Sequence, residues 1–159
     1  MSIRDTYAEQ AWEFALPSAR NVEYLSLGLW GEVGELASLV AKSIRDETEL
    51  DKTAVAKELG DVMWFIAGSA MYNDNGRTFG VLVDETAVSE VSYDGYSTTE
   101  AVSEFISSVI DGDLSEVFDS AAELARIFGY TLDDVLEMNL AKLQSRRDRG
   151  KITGSGDDR

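Results

Sequence analysis

Residues 28–42 read GLWGEVGELASLVAK. Leu29, Leu36, Leu39 and Val40 recur at helical spacing, so the stretch reads as a helix with one apolar face. Two glutamates, Glu32 and Glu35, interrupt it among glycines and aliphatic residues. Glutamate is seldom buried without a partner, so this pair needs a reason. Working outward, Val22 and Leu25 extend the apolar face towards the N-terminus, Asn21 is a natural cap, and the helix runs to about Arg45. The polar run Asp46 to Lys52 reads as a turn. Asp51 then caps a further helix to about Tyr72, with Val55, Leu59, Val62, Met63 and Ile66 on its apolar face.

That next helix contains KELGDVMWF, in which Glu58 and Asp61 are again three residues apart. Residues three apart share a helix face, so each pair projects together. Glu35 lies roughly 15 Å before the turn, and Glu58 roughly 10 Å after it, at about 1.5 Å per residue. An antiparallel hairpin therefore brings the two pairs within about one helical turn of each other. Converging carboxylates repel and raise one another's pKa. A hard divalent cation resolves that repulsion, and Mg2+ takes oxygen ligands together with water and substrate phosphates. Gly31, Gly34 and Gly60 flank the acids. Each costs a helix about 1 kcal/mol against alanine, which predicts close helix approach or room for a ligand.

The remaining chain is also helical in pattern. Asp5 to Leu16 carries Tyr7, Ala11, Phe14 and Ala15 at helical spacing and stops at Pro17. Asn73 to Gly76 ends the helix that carries Glu58. The segment from about residue 73 to 112 reads as an insertion, irregular at first, with FGVLVD as a short strand of a hairpin and SYDG as a turn. Within it Ser97 and Glu100 have capping-box spacing before Val102, Phe105, Ile106, Val109 and Ile110. Asp111-Gly112-Asp113 breaks that helix, and Asp113 opens another through Val117, Ala121, Leu124, Ala125 and Phe128 to a glycine cap at Gly129. Thr131 caps a last helix to about Arg146, followed by a flexible basic tail over about 147–159. The expected fold is all-α: one domain, a helical bundle built on the antiparallel pair.

Composition narrows the chemistry. The 159 residues contain no cysteine and no histidine, so thiol and imidazole catalysis are excluded and catalysis falls to carboxylates, lysine, hydroxyls or a metal. The N-terminus is polar and charged rather than a secretory signal, and no apolar run is long enough to span a bilayer. A cytoplasmic protein is expected. The net charge of −16 repels nucleic acid and anionic membranes, so neither is an expected partner. The charge is uneven. Lys142, Arg146, Arg147, Arg149, Lys151 and Arg159 crowd the C-terminal end, whereas no cation lies between Arg77 and Arg126.

EVGE followed by ELGD, with VLEMNLAKLQSR later in the chain, resembles the ExxE…ExxD signature and Asn…Lys…Arg helix of the MazG-like, all-α nucleoside triphosphate pyrophosphohydrolases. The resemblance implies hydrolysis of a nucleoside triphosphate to a monophosphate and pyrophosphate, with Mg2+ as cofactor and Mn2+ as its substitute, in nucleotide-pool sanitation or control. It implies that Glu32, Glu35, Glu58 and Asp61 hold the metal and form the catalytic set, one glutamate accepting the proton of the attacking water. It assigns Asn139, Lys142 and Arg146, on one face of the last helix, to the phosphate chain, and it implies a homo-oligomer. Trp30 and Trp64 adjoin the two motifs and are the candidates for base stacking. Two other readings stay open: a metal-dependent phosphohydrolase of another nucleotide such as an alarmone, and a non-enzymatic acidic protein that binds a partner through its insertion.

Overall fold

A computed structural model describes residues 2–74, 79–80, 91–111 and 114–151. Among the described residues the main elements are six α-helices: α1 (Ile3–Trp12), α2 (Val22–Arg45), α3 (Lys52–Asp74), α4 (Thr98–Asp111), α5 (Leu114–Ile127) and α6 (Leu132–Asp148), with a 3-10 turn at Pro17–Ala19. There is no strand among the described residues. Phe79 and Gly80 are helical, so the strand expected for FGVLVD does not begin there. Its remainder, the rest of the expected hairpin, the Asp113 cap and the tail beyond Lys151 lie outside the described residues.

Local chemistry sets most helix ends. Asn21 Oδ1 accepts from the Tyr24 amide at 2.8 Å, and Asp51 Oδ1 accepts from the Thr53 and Ala54 amides, satisfying donors that a helix start leaves open. Ser97 with Glu100 and Thr131 with Asp134 each close a reciprocal capping box. Gly129, with φ of 84°, turns the chain out of α5 while the Tyr130 amide returns to the Ala125 carbonyl at 3.0 Å, as a left-handed cap does. Gly95, with φ of 85°, makes the expected turn in SYDG. The first helix departs from expectation. It ends at Trp12, because Phe14 and Ala15 tighten onto Ala11 and Trp12 and Arg20 donates to the carbonyls of Ala15 and Trp12. The Arg20 guanidinium also sits 5.1 Å above the Trp12 ring.

The register of α2 on α3 follows from three contacts. Leu25 packs on Gly68, Gly28 lies under Phe65, and Glu32 meets Asp61. One number rises as the other falls, so the helices are antiparallel. Helix α6 runs the same way as α3, with Tyr130 beside Thr53 and Asn139 beside Gly60 and Asp61. Helix α1 runs with α6, since Arg4 pairs with Asp133 and Tyr7 with Asn139. Core residues come from all six helices, among them Tyr7, Leu36, Leu59, Phe105, Leu124 and Leu136. Helices α4 and α5 pack on each other and contribute Val102, Phe105, Val109, Phe118 and Ala121 to that core.

The glycines divide by contact. A Cβ at Gly60 would lie 3.1 Å from Asn139 Cβ, and one at Gly28 only 2.1 Å from the Phe65 ring. Of the three glycines beside the acids, Gly60 makes a close helix approach, whereas nothing lies within 4 Å at Gly31 and Gly34; Gly28 makes a second close approach. Phe65 is hemmed by Trp64 at 4.9 Å and Tyr24 at 5.8 Å between ring centroids, so it has little room to retreat. Gly28→Ala is therefore expected to lose about 1–3 kcal/mol through overpacking, more than the ~1 kcal/mol of helix propensity it gains. Gly31→Ala and Gly34→Ala are expected to gain up to about 1 kcal/mol. Urea unfolding of the three variants checks the opposed signs.

Candidate active site

The antiparallel register brings the two acidic motifs together. One carboxylate oxygen from each of Glu32, Glu58 and Asp61 lies within 4.8 Å of the others. The α2–α3 hairpin supplies all three. Glu58 is buried, at 7% exposure, whereas Glu32 and Asp61 are partly open. Glu35 is on the same face one turn along α2 but is exposed, and it is not part of the three-oxygen convergence.

Burial and crowding both act on Glu32. Burial, then the neighbouring charges of Asp61, Glu35 and Glu58, push its carboxyl up to about 7, with Lys142 opposing them. Asp61 is held from the side by α6. Asn139 Nδ2 donates to Asp61 Oδ1 at 2.9 Å, and Lys142 Nζ pairs with Asp61 Oδ2. Behind them the Tyr7 hydroxyl, fully buried, donates to Asn139 Oδ1 at 2.8 Å. Burial and the Asp61 charge hold the Tyr7 phenol well above its ordinary pKa.

The sequence candidates thus fall into groups. Glu32, Glu58 and Asp61 converge, Glu35 stands at the rim, and Asn139 and Lys142 both contact Asp61. Arg146 follows one turn later on α6 and is partly buried. Trp64 is partly buried with its indole N–H donated to the Ala11 carbonyl at 3.2 Å, and its ring packs on Trp12 and Phe65. Trp30 is 47% exposed and lies off the acidic face of α2. Sequence reasoning placed Tyr7 only in the apolar stripe of the first helix. Its hydroxyl contact is made across 132 positions of chain, and no local pattern announces it.

The donor set fits a hard divalent cation. It consists of anionic oxygens alone, and it is crowded enough to hold a proton on Glu32 near neutral pH, a charge imbalance that such a cation relieves. Glu58, Asp61 and Glu32 are the residues able to hold it.

Comparison with known proteins places the chain in a family. The dUTPase family pattern matches residues 5–151, and the chain belongs to that family. The match runs from α1 to the end of α6 and includes every residue of the cluster. Gene 37 protein of Mycobacterium phage L5 is 29% identical over 146 residues, covering 89% of this chain and 80% of the phage protein. No solved structure matches the chain. Membership makes the chain one of a family of nucleotide pyrophosphohydrolases. The ExxE and ExxD motifs resemble those of MazG-like enzymes, but the family established over residues 5–151 is dUTPase.

Glu32 yields a prediction for the metal-free protein. Its folded-state pKa, about 7, lies above its ordinary 4.5, so the folded chain binds this proton more tightly than the unfolded chain. The resulting stability is complete below the unfolded pKa and is lost as pH rises through the folded one. With no histidine in the chain, few other side chains titrate in that window. In chelator, the melting temperature is expected to fall from about pH 5 to about pH 7.5, and Glu32→Gln is expected to flatten that slope. Equal slopes in both proteins would show that Glu32 is not the group responsible.

Proposed function

We propose that the protein is a Mg2+-dependent pyrophosphohydrolase that cleaves a nucleoside triphosphate to a monophosphate and pyrophosphate, with dUTP as its substrate. The observation that carries this reading is the convergence of Glu32, Glu58 and Asp61 in a chain of the dUTPase family. The family description supports dUTP, and the ExxE…ExxD likeness to MazG-like enzymes supports attack between the α- and β-phosphates. The three converging carboxylates would hold the cation. When bound, it would neutralise the triphosphate and make water a better nucleophile.

The chain's own residues have separable tasks in this reading. Glu58 and Asp61 are set rigidly, one by burial and the other by two donors from α6. Glu35, exposed on the same face and outside the convergence, accepts the proton of the attacking water. Lys142 and Arg146, one turn apart on α6, meet the phosphate chain as it arrives. Trp30 is exposed and available for base stacking, whereas Trp64 already packs on two rings and caps a backbone carbonyl. Exposed Leu27, with Gly31 and Gly34 open beside it on the outer face of α2, supports association with a second copy.

Separating the products of dUTP, the other deoxynucleoside triphosphates and the ribonucleoside triphosphates tests the reading. The expected result is dUMP and pyrophosphate, lost on chelation. Diphosphate and orthophosphate would move the point of attack, and preference for another base would remove the dUTP assignment. Glu35→Gln is expected to lower kcat by about 100-fold or more while Mg2+ binding, measured calorimetrically, persists. Asp61→Asn is expected to lose both. Sedimentation of the protein at micromolar concentration is expected to show a dimer or larger species, and a monomer would assign the α2 face another role.

A further inference from the structure

Tyr7 lies on α1, away from both acidic motifs in sequence, yet its hydroxyl is the last member of a hydrogen-bond chain that ends on Asp61. The direction of that chain is not arbitrary. An ionised carboxylate only accepts hydrogen bonds. Asn139 must therefore turn its NH2 towards Asp61 Oδ1, which leaves Asn139 Oδ1 facing away, towards Tyr7. A phenol can donate or accept, and here it must donate, as observed at 2.8 Å. Tyr7 is 0% exposed and Asn139 is 3% exposed, so water has little access to replace either contact. Gly60 completes the arrangement, because a Cβ there would lie 3.1 Å from Asn139 Cβ and 3.4 Å from its Nδ2.

We infer that Tyr7 is a positioning residue: its hydroxyl locks the Asn139 amide in the one orientation that donates to Asp61, and so presets the Asp61 carboxylate for the cation. Without the phenolic O–H, Asn139 Oδ1 is a buried acceptor with no donor, and such a group is costly to leave unsatisfied. The amide then gains from rotating to find one, and Asp61 loses a fixed donor. Groups that orient a metal ligand in this way commonly matter as much as 10–100-fold in metal affinity. The inference rests on the reading that Asp61 helps to hold the cation, and goes beyond it by naming a residue on another helix that no motif contains.

The test is Mg2+ binding by calorimetry to the whole protein, compared across the wild type, Tyr7→Phe, Asn139→Ala and the double variant. Tyr7→Phe is expected to weaken binding about tenfold or more. In the Asn139→Ala background the same change is expected to add nothing, because Tyr7 acts through Asn139. Val102→Ala, a core truncation on α4, controls for loss of stability alone and is expected to leave Mg2+ affinity unchanged. Equal affinity in wild type and Tyr7→Phe would overturn the inference while the cation site stands. So would a Tyr7→Phe loss undiminished in the Asn139→Ala background, or an equal loss in Val102→Ala, since either marks a purely structural role. Absence of Mg2+ binding in the wild type would overturn the cation site and this inference together.

Discussion

Everything in the site depends on holding like charges together. Two unit charges 4 Å apart repel by about 4 kcal/mol at an effective dielectric of 20, and three oxygens of the α2–α3 hairpin lie within 4.8 Å of one another. The register that produces this is enforced from outside the acids. On the aromatic side, Gly28 admits Phe65 and Gly68 admits Leu25 and Trp12. Val33, Leu36, Leu59 and Val62, all buried, hold the same two helices through the acidic level. A slip of one turn would separate the acids, but it would also drive the Phe65 ring against a residue bearing a side chain.

Equal spacing does not give equal chemistry. ExxE and ExxD each put two carboxylates on one face, and the surroundings then distinguish all four. Glu58 is buried, Asp61 is held by Asn139 and Lys142, Glu32 retains its proton to about pH 7, and Glu35 faces solvent. The differences arise from α6 and α1, which approach the hairpin on the α3 side. Asp61 therefore gains fixed donors that Glu32, on α2, lacks.

Local patterns in the sequence carried much of this. Helical spacing identified the hairpin, and Asn21, Asp51, Ser97, Thr131 and Gly129 marked boundaries because capping is satisfied within a few residues of chain. Helix rise and turn length alone placed the two acidic pairs within about one helical turn of each other, but did not say which of the four carboxylates meet. What was not legible depends on distant partners. Gly28 and Gly31 look alike in sequence, yet only Gly28 faces an aromatic ring. The early end of α1 depends on Arg20 reaching back to Ala15 and Trp12. Tyr7 reads as one more core aromatic because its hydroxyl partner lies on the last helix.

The acidic stretch between Arg77 and Arg126 also takes on a physical meaning once folded. Within it, α4 and α5 bury Val102, Phe105, Val109, Phe118, Ala121 and Leu124, so its described helices build the core, while Glu104 and Glu116 face solvent. With a net charge of −16, the protein repels a polyanion at long range. Lys142, Arg146 and Arg147 lie in the last two turns of α6 and Arg149 caps its end, and Lys142 touches the carboxylate cluster itself. Under the proposed function, a triphosphate would meet the cations of α6 beside the carboxylate cluster. In that reading a short polyanion that arrives with its own divalent cation would satisfy both signs at once, with its phosphates on α6 and its cation on the hairpin.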